Sequence, residues 1–274
     1  MYFGSRGNYD YFRCGSCNTI QLHPLPTAEF LEKEYAGKYA QAGHYANTPE
    51  SSDRANAPFY EAILKILRQR GVADKPILDV GCGWGGLGRL LQKESCAGYV
   101  GIDFSAEAMN YCRSGGLNVL RGGLELFRDD KARFSSIACL SVFEHLVDCS
   151  GFLDDAHRLL APGGKLLILS PTAGFACMMA RLYQLATLSD RLPELHQTFC
   201  PPWHVTIFSL PGIKTLLGRH GFNQAEIYPS PSGNAQGGLA VIKKISTFVG
   251  AAGFRLFGER WPVIPSHIVV AGKP

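Results

Sequence analysis

The distribution of apolar residues changes character near residue 58. Before it, apolar positions are scattered, often aromatic and without a period. After it, they fall into regular blocks. Pro58 is read as opening a helix that carries Phe59, Ile63, Ile66 and Leu67 on one face. Pro76 precedes the short apolar run Ile77–Val80, the pattern of a strand buried on both faces. A helix over Leu87–Lys93, a strand over Tyr99–Ile102 and a helix over Ala106–Arg113 follow. Further strands are predicted at Asn118–Leu120, Ile137–Leu140 and Lys165–Ser170, with a helix at Phe152–Leu160 before the last. Strands alternating with helices predict an α/β chain, a parallel sheet covered on both faces. After Ser170 the alternation pauses for a helix at Phe175–Leu188 and a Pro- and His-rich stretch. It resumes with a helix at Pro211–Gly221 and a strand at Ala225–Tyr228. A loop over 229–237, a helix at Leu239–Phe257 and a strand at His267–Ala271 close the chain.

This pattern divides the protein into a leader, residues 1–57, and a main domain, 58–274, with 171–205 inserted as a segment that walls the acceptor side. Within the leader, Thr27 is placed to cap a helix reaching Tyr35, and residues 36–57 read as a loop.

Composition narrows the class. With 274 residues, 46% of them hydrophobic and 18% charged, the chain is that of an ordinary globular domain. Its net charge of +4 is spread along the sequence, so nucleic acid is not an implied partner. Nine cysteines, an odd number and mostly isolated, suit reduced thiols in the cytoplasm. The first ten residues lack the apolar core of a secretory signal. No apolar run approaches the ~18 residues of a membrane span.

The most informative segment is Asp79-Val80-Gly81-Cys82-Gly83-Trp84-Gly85-Gly86, at the junction of a strand and a helix. Its glycines satisfy the dinucleotide pattern, and Asp103, 20 residues after Gly83, stands where a carboxylate meets a ribose diol. The glycines alone leave a nicotinamide dinucleotide and S-adenosylmethionine equally open. Asp79 separates them. A carboxylate at the end of this strand suits a ligand with ammonium and sulfonium charges, and repels a pyrophosphate. The plainer role for Asp79 is to cap the turn.

Four segments in order then resemble class I S-adenosylmethionine-dependent methyltransferases. Leu78–Gly85 is similar to their first motif and Val100-Gly101-Ile102-Asp103-Phe104-Ser105 to their second. Val142-Phe143-Glu144-His145-Leu146 resembles the segment after their fourth strand, and Leu160-Ala161-Pro162-Gly163-Gly164-Lys165 the turn before their fifth. The resemblance implies a Rossmann-like, doubly wound, seven-stranded sheet of order 3-2-1-4-5-7-6 with the last strand antiparallel. It implies that Gly81, Cys82, Gly83 and Gly85 bring backbone close to the cofactor and that Asp79 helps hold its amino acid end. Asp103 would bind the ribose hydroxyls, Phe104 would pack on adenine, Leu124 would meet the adenine edge, and the Leu140 carbonyl would meet the ammonium. The family usually carries an acidic residue near position 123, where Gly122-Gly123 stands here. Tyr11–Cys17 with Pro24-Leu25-Pro26, and Trp203–Ser209 with Gly221-Phe222, are similar to a bacterial subgroup with an N-terminal zinc ribbon that acts on sugars, lipids or natural products. That subgroup has two C-x-x-C pairs, whereas this chain has only Cys14 and Cys17, so a truncated ribbon is expected.

Methyl transfer from a sulfonium depends mainly on alignment, and an oxygen acceptor also needs its proton removed. His204, in a loop before a strand, and His145, after the fourth strand, are the candidate catalytic residues. His145 is equally a structural histidine, and His196 and Tyr183 are weaker candidates. Some quinone O-methyltransferases bind a divalent metal with a Glu-His pair and a glutamate three residues earlier. Here that earlier residue is Ser141, and no metal site is assigned. Leu239–Phe257 reads as a helix covering the sheet or lying on a membrane surface. The expected function is methyl transfer to a small-molecule acceptor. A NAD-dependent oxidoreductase and a non-catalytic cofactor-binding module are the alternatives.

Overall fold

The computed structural model describes residues 1–6, 8–27, 29–31, 33, 48–96, 98–185, 199, 202–233, 239–261 and 263–274. Its main sheet has seven strands: β4 (Ile77–Val80), β5 (Tyr99–Asp103), β6 (Val119–Arg121), β7 (Phe134–Leu140), β8 (Leu160–Pro171), β10 (Asn223–Pro229) and β11 (Ser266–Gly272). They lie side by side as β10-β11-β8-β7-β4-β5-β6. Numbered within the sheet and read from the other edge, this is the expected 3-2-1-4-5-7-6. β4, β5, β6, β7 and β8 pair in parallel, and β11 runs antiparallel to both its neighbours.

Two apolar layers cover the sheet. On one face Leu153, Ala156, Ile213 and Leu217 of helices α4 (Cys149–Leu159) and α6 (Leu210–Arg219) pack with Leu78, Ile137, Ile168 and Val269. On the other, Ile63 and Leu67 of α1 (Pro49–Gln69), Leu87 and Leu91 of α2 (Gly86–Gln92) and Met109 and Cys112 of α3 (Ala106–Ser114) pack with Ile77, Leu167 and Ile268. Alternate residues of β8 thus belong to opposite layers, as the period-2 geometry of a strand requires.

Three features differ from the sequence reading. Helix α1 begins at Pro49, so residues 49–57 are its first turns rather than loop. Thr48 supplies the reason: its side chain accepts from the Ser51 N–H at 3.3 Å, with Pro49 at the first helical position. Pro58 lies within the helix instead of starting it. The leader also folds into strands, which its irregular polarity did not predict. β1 (Tyr2–Arg6), β2 (Tyr9–Arg13) and β3 (Ile20–His23) form an antiparallel meander, and β9 (Thr206–Ile207) joins β3 to make a four-stranded second sheet. Among the described residues of this sheet the buried apolar side chains are Tyr11, Ile20, Leu22 and Ile207, packed against Ala173 and Ala176 of α5 (Ala173–Leu185). So few inward residues leave little periodic signal. Thr27 does cap its helix, its hydroxyl accepting from the Phe30 N–H at 3.1 Å. Most of residues 32–47 lies outside the described residues, as does His196.

Candidate functional site

The carboxyl ends of β4, β5 and β7 meet along one edge of the sheet, where ligands of open α/β sheets bind. The glycine loop crosses this edge. The N–H groups of Gly81 and Cys82 both donate to the Ile102 carbonyl, at 2.9 and 3.0 Å, tying the loop to the end of β5. Gly81 and Gly85 adopt φ of 69° and 77°, which side chains disfavour. A Cβ on Gly81 would lie 2.3 Å from Val142 Cγ2, so the backbone must pass bare at that point.

Three carboxylates surround the loop. Asp103 Oδ2 accepts from the Gly83 N–H and Oδ1 from the Ser105 N–H, each at 2.9 Å. Burial raises its pKa, and the N–H groups of Ser105, Gly83 and Phe104 oppose that rise. Asp79 is almost wholly buried beneath the loop and accepts from the Tyr99 hydroxyl at 3.0 Å. Burial pushes it up to about 7, with the Tyr99 bond pulling down and Asp103 adding to the rise. The third, Asp53, comes from α1, which the sequence pattern did not place near the loop. It pairs with Arg89, while its Oδ1 is buried without a hydrogen-bond partner, and Oδ1 lies 2.6 Å from where a Cβ on Gly86 would be. Asp79 and Asp103 beside a bare backbone loop fit a cationic ligand, which would favour their ionised forms, and oppose a pyrophosphate.

The remaining candidates for cofactor contact occupy the same edge. Cys82 points into the protein, since its Sγ would be 2.8 Å from a Cβ on Gly101, and only its backbone is available at the loop surface. Phe104 is 38% exposed, and its Cζ is 3.3 Å from where a Cβ on Gly123 would be, so the bare Gly123 leaves room for the ring. Glu125 folds back to accept from the Gly123 N–H at 2.7 Å, restoring an acidic group beside the position the resemblance left empty. Leu124 is buried at the start of a 3-10 turn, and Leu140 is the last residue of β7.

A second cluster is assembled from distant segments. His145 and His204 come together with ring centroids 4.9 Å apart. His145 Nδ1 is 2.7 Å from the Trp203 carbonyl, so Nδ1 carries a proton and donates it to that oxygen. His145 Nε2 lies 4.0 Å from Glu144 Oε1. Glu144 is 2% exposed, its Oε2 has no partner, and burial pushes its pKa up to about 8. The N–H of Val205 donates to the Glu144 carbonyl at 2.8 Å, which docks the stretch after His204 on the turn that carries His145. Sequence reasoning weighed Glu144 only as half of a Glu-His metal pair and did not place it among the site residues. Its only signal was an adjacent Glu-His pair just past a strand. Ligand atoms of Glu144, His145 and His204 lie within 4.8 Å of one another, close enough to hold a metal ion, where the sequence alone supplies no ligand set. The side chain of Tyr183 lies outside the described residues. Among the described residues no third metal-binding side chain joins Cys14 and Cys17.

A family model described as a methyltransferase domain matches residues 50–227. A ubiquinone biosynthesis O-methyltransferase of Coxiella burnetii (strain Dugway 5J108-111) is 26% identical over 176 residues, 62% of this chain and 75% of its own length. Among solved structures, the 1,6-didemethyltoxoflavin-N1-methyltransferase of Burkholderia thailandensis, with S-adenosylhomocysteine bound, matches with a TM-score of 0.55 at 13% identity, over 99% of this chain and 98% of that one. The magnesium protoporphyrin IX methyltransferase of Synechocystis PCC 6803 matches with a TM-score of 0.55 at 12% identity, over 90% of this chain and all of that one. At such identities these two structures show the shared fold.

Proposed function

The chain belongs to the class I S-adenosylmethionine-dependent methyltransferases, and from that premise we propose that it methylates an oxygen of a small molecule held between the glycine loop and the His145–His204 pair. One observation carries this reading: two histidines and a buried glutamate, brought from distant segments, converge at the carboxyl edge beside the loop. The relatives named as ubiquinone biosynthesis O-methyltransferases favour oxygen as the accepting atom.

S-adenosylmethionine supplies an electrophilic methyl group on sulfur. The glycine cradle and the carboxylates of Asp53, Asp79 and Asp103 suit its two cationic centres. We assign the backbone of Gly81, Cys82, Gly83 and Gly85 to close approach, Asp79 and the Leu140 carbonyl to the ammonium end, and Asp103 to the ribose. Phe104 and Leu124 flank the base. His204 takes the acceptor's hydroxyl proton, and His145, oriented by the Trp203 carbonyl, sits against it. α5 and the four-stranded sheet, packed together through Tyr11, Ile20 and Ala176, wall the acceptor side, the role given to residues 171–205. The eight described cysteines are free thiols, which supports a cytoplasmic setting.

A second reading rests on the same cluster. A divalent cation on Glu144, His145 and His204 would bind the acceptor oxygen and lower its pKa in place of a base. Both readings are tested by turnover with a donor carrying a labelled methyl group and a panel of phenols, enols, amines and sugars. Label entering amines but no hydroxyl compound would sink the oxygen assignment. Activity that survives exhaustive chelation would remove the metal reading.

A further inference from the structure

Helix α7 (Leu239–Phe257) is amphipathic in the wrong direction for a helix that merely covers a sheet. Its buried side carries Gly250 and Gly253. A Cβ on Gly253 would lie 2.2 Å from the Trp261 ring, and one on Gly250 would lie 2.9 Å from the Val263 carbonyl oxygen. Phe254 packs inward against the core, but four other large apolar side chains face out. Ile245 is 57% exposed, Phe248 74%, Val249 48% and Leu256 77%. At 3.6 residues per turn these four and Ala252 form one stripe about 100° wide. Lys244 and Arg255, both exposed, run along one margin of that stripe. Phe257, 59% exposed, ends the helix. Over residues 239–261 the basic side chains are Lys243, Lys244, Arg255 and Arg260, and the single acidic one, Glu259, is paired with Lys214 at 2.5 Å.

We infer that this outer stripe is a membrane-surface anchor, seated in the headgroup region of an anionic bilayer. Large apolar groups with cations at their margin are the chemistry of an interfacial helix. A second copy of the chain fits less well. A two-fold contact along the stripe would bring the cationic margins of both copies to one small interface. The stripe also offers only about 300 Å², one helix about 28 Å long by about 10 Å wide, against the ~800 Å² per partner of a stable dimer. No described helix is long and apolar enough to cross a membrane, so the contact is peripheral. The inference stands apart from the acceptor assignment, because it uses no residue of the site.

The test is flotation of the full chain with vesicles of phosphatidylcholine alone, and with one third phosphatidylglycerol, at low salt. The protein is expected to float with the anionic vesicles. Phe248→Asp with Leu256→Asp should lower the bound fraction about tenfold or more. Lys244→Glu with Arg255→Glu should abolish the preference for anionic lipid. S-adenosylhomocysteine titration of the same variants should match the parent, showing that the fold and the cofactor site are intact. Failure of the full chain to bind either vesicle, or binding undiminished by the two aspartates, would overturn the inference. So would a dimer in light scattering that the aspartates split, which would assign the stripe to a second copy.

Discussion

The donor half and the acceptor half that we propose for this site are built in opposite ways. Apart from Asp53 and the Leu140 carbonyl, the donor half is nearly continuous in sequence, running from Asp79 through the glycine loop to Asp103 and Leu124 across three neighbouring parallel strands. Its contacts join neighbouring strands and draw on backbone donors, such as Gly83 N–H to Asp103 and Gly81 N–H to Ile102. The acceptor half draws His145 from the turn after β7, His204 from more than fifty residues later, and its wall from the first twenty-three residues. A continuous cradle serves the cofactor that defines the family. An assembled wall leaves acceptor choice to segments that can change without disturbing the cradle.

If the halves are separable, substitutions should strike one and spare the other. The largest effect is expected from Gly81→Val, which forces a Cβ into Val142 at a left-handed φ and should reduce S-adenosylhomocysteine affinity by about a hundredfold or more. Calorimetry with a circular-dichroism check of folding reads this out. Next, His204→Ala should lower kcat about 10²–10⁴-fold, the usual contribution of a general base, while leaving S-adenosylhomocysteine affinity within about twofold. Comparable losses in both quantities would break the division between halves. Asp103→Asn keeps the side chain's shape but removes its charge from two N–H donors, and should cost about 1–3 kcal/mol of cofactor binding. Its acceptor KM should not move.

The smallest effect is a proton linkage within the donor half. Burial holds Asp79 near 7, so much of it is protonated below neutrality. A cationic ligand prefers the ionised carboxylate, so binding lowers this pKa and releases a proton. Cofactor affinity should therefore rise with pH up to about 7 and level off above it, by at most about tenfold per pH unit. Calorimetry in buffers of different ionisation enthalpy measures the proton directly. Asp79→Asn should flatten the profile, and an unchanged profile in that variant would remove Asp79 from the ammonium end. For folding the sign is the reverse. A carboxyl raised in the folded state contributes less stability as pH climbs from about 4 to about 7.

Much of the donor half was legible in residue order. The strand Ile77–Val80, the loop glycines and Asp103 are read directly because apolar period, turn chemistry and charge are local properties. α1 was legible only in part. Its apolar face begins at Phe59, but its first turns are polar and held by the Thr48 cap and the Asp53–Arg89 pair, which carry no period. Glu144 illustrates a different limit. A glutamate in sequence is nearly always solvated, and only packing makes this one a buried group raised to about 8.

By itself, then, the order of residues determined the alternation of strands and helices, the parallel sheet and the glycine loop at a strand's end, because apolar period and glycine turns act over a few positions, while the seven strands and their order followed from the resemblance of four ordered motifs. Tertiary structure decided the rest. It joined the leader to β9, set His204 against His145 beside Glu144, and turned Ile245, Phe248, Val249 and Leu256 of α7 outward. Each depends on which distant surfaces exclude water from one another, and no local pattern encodes that.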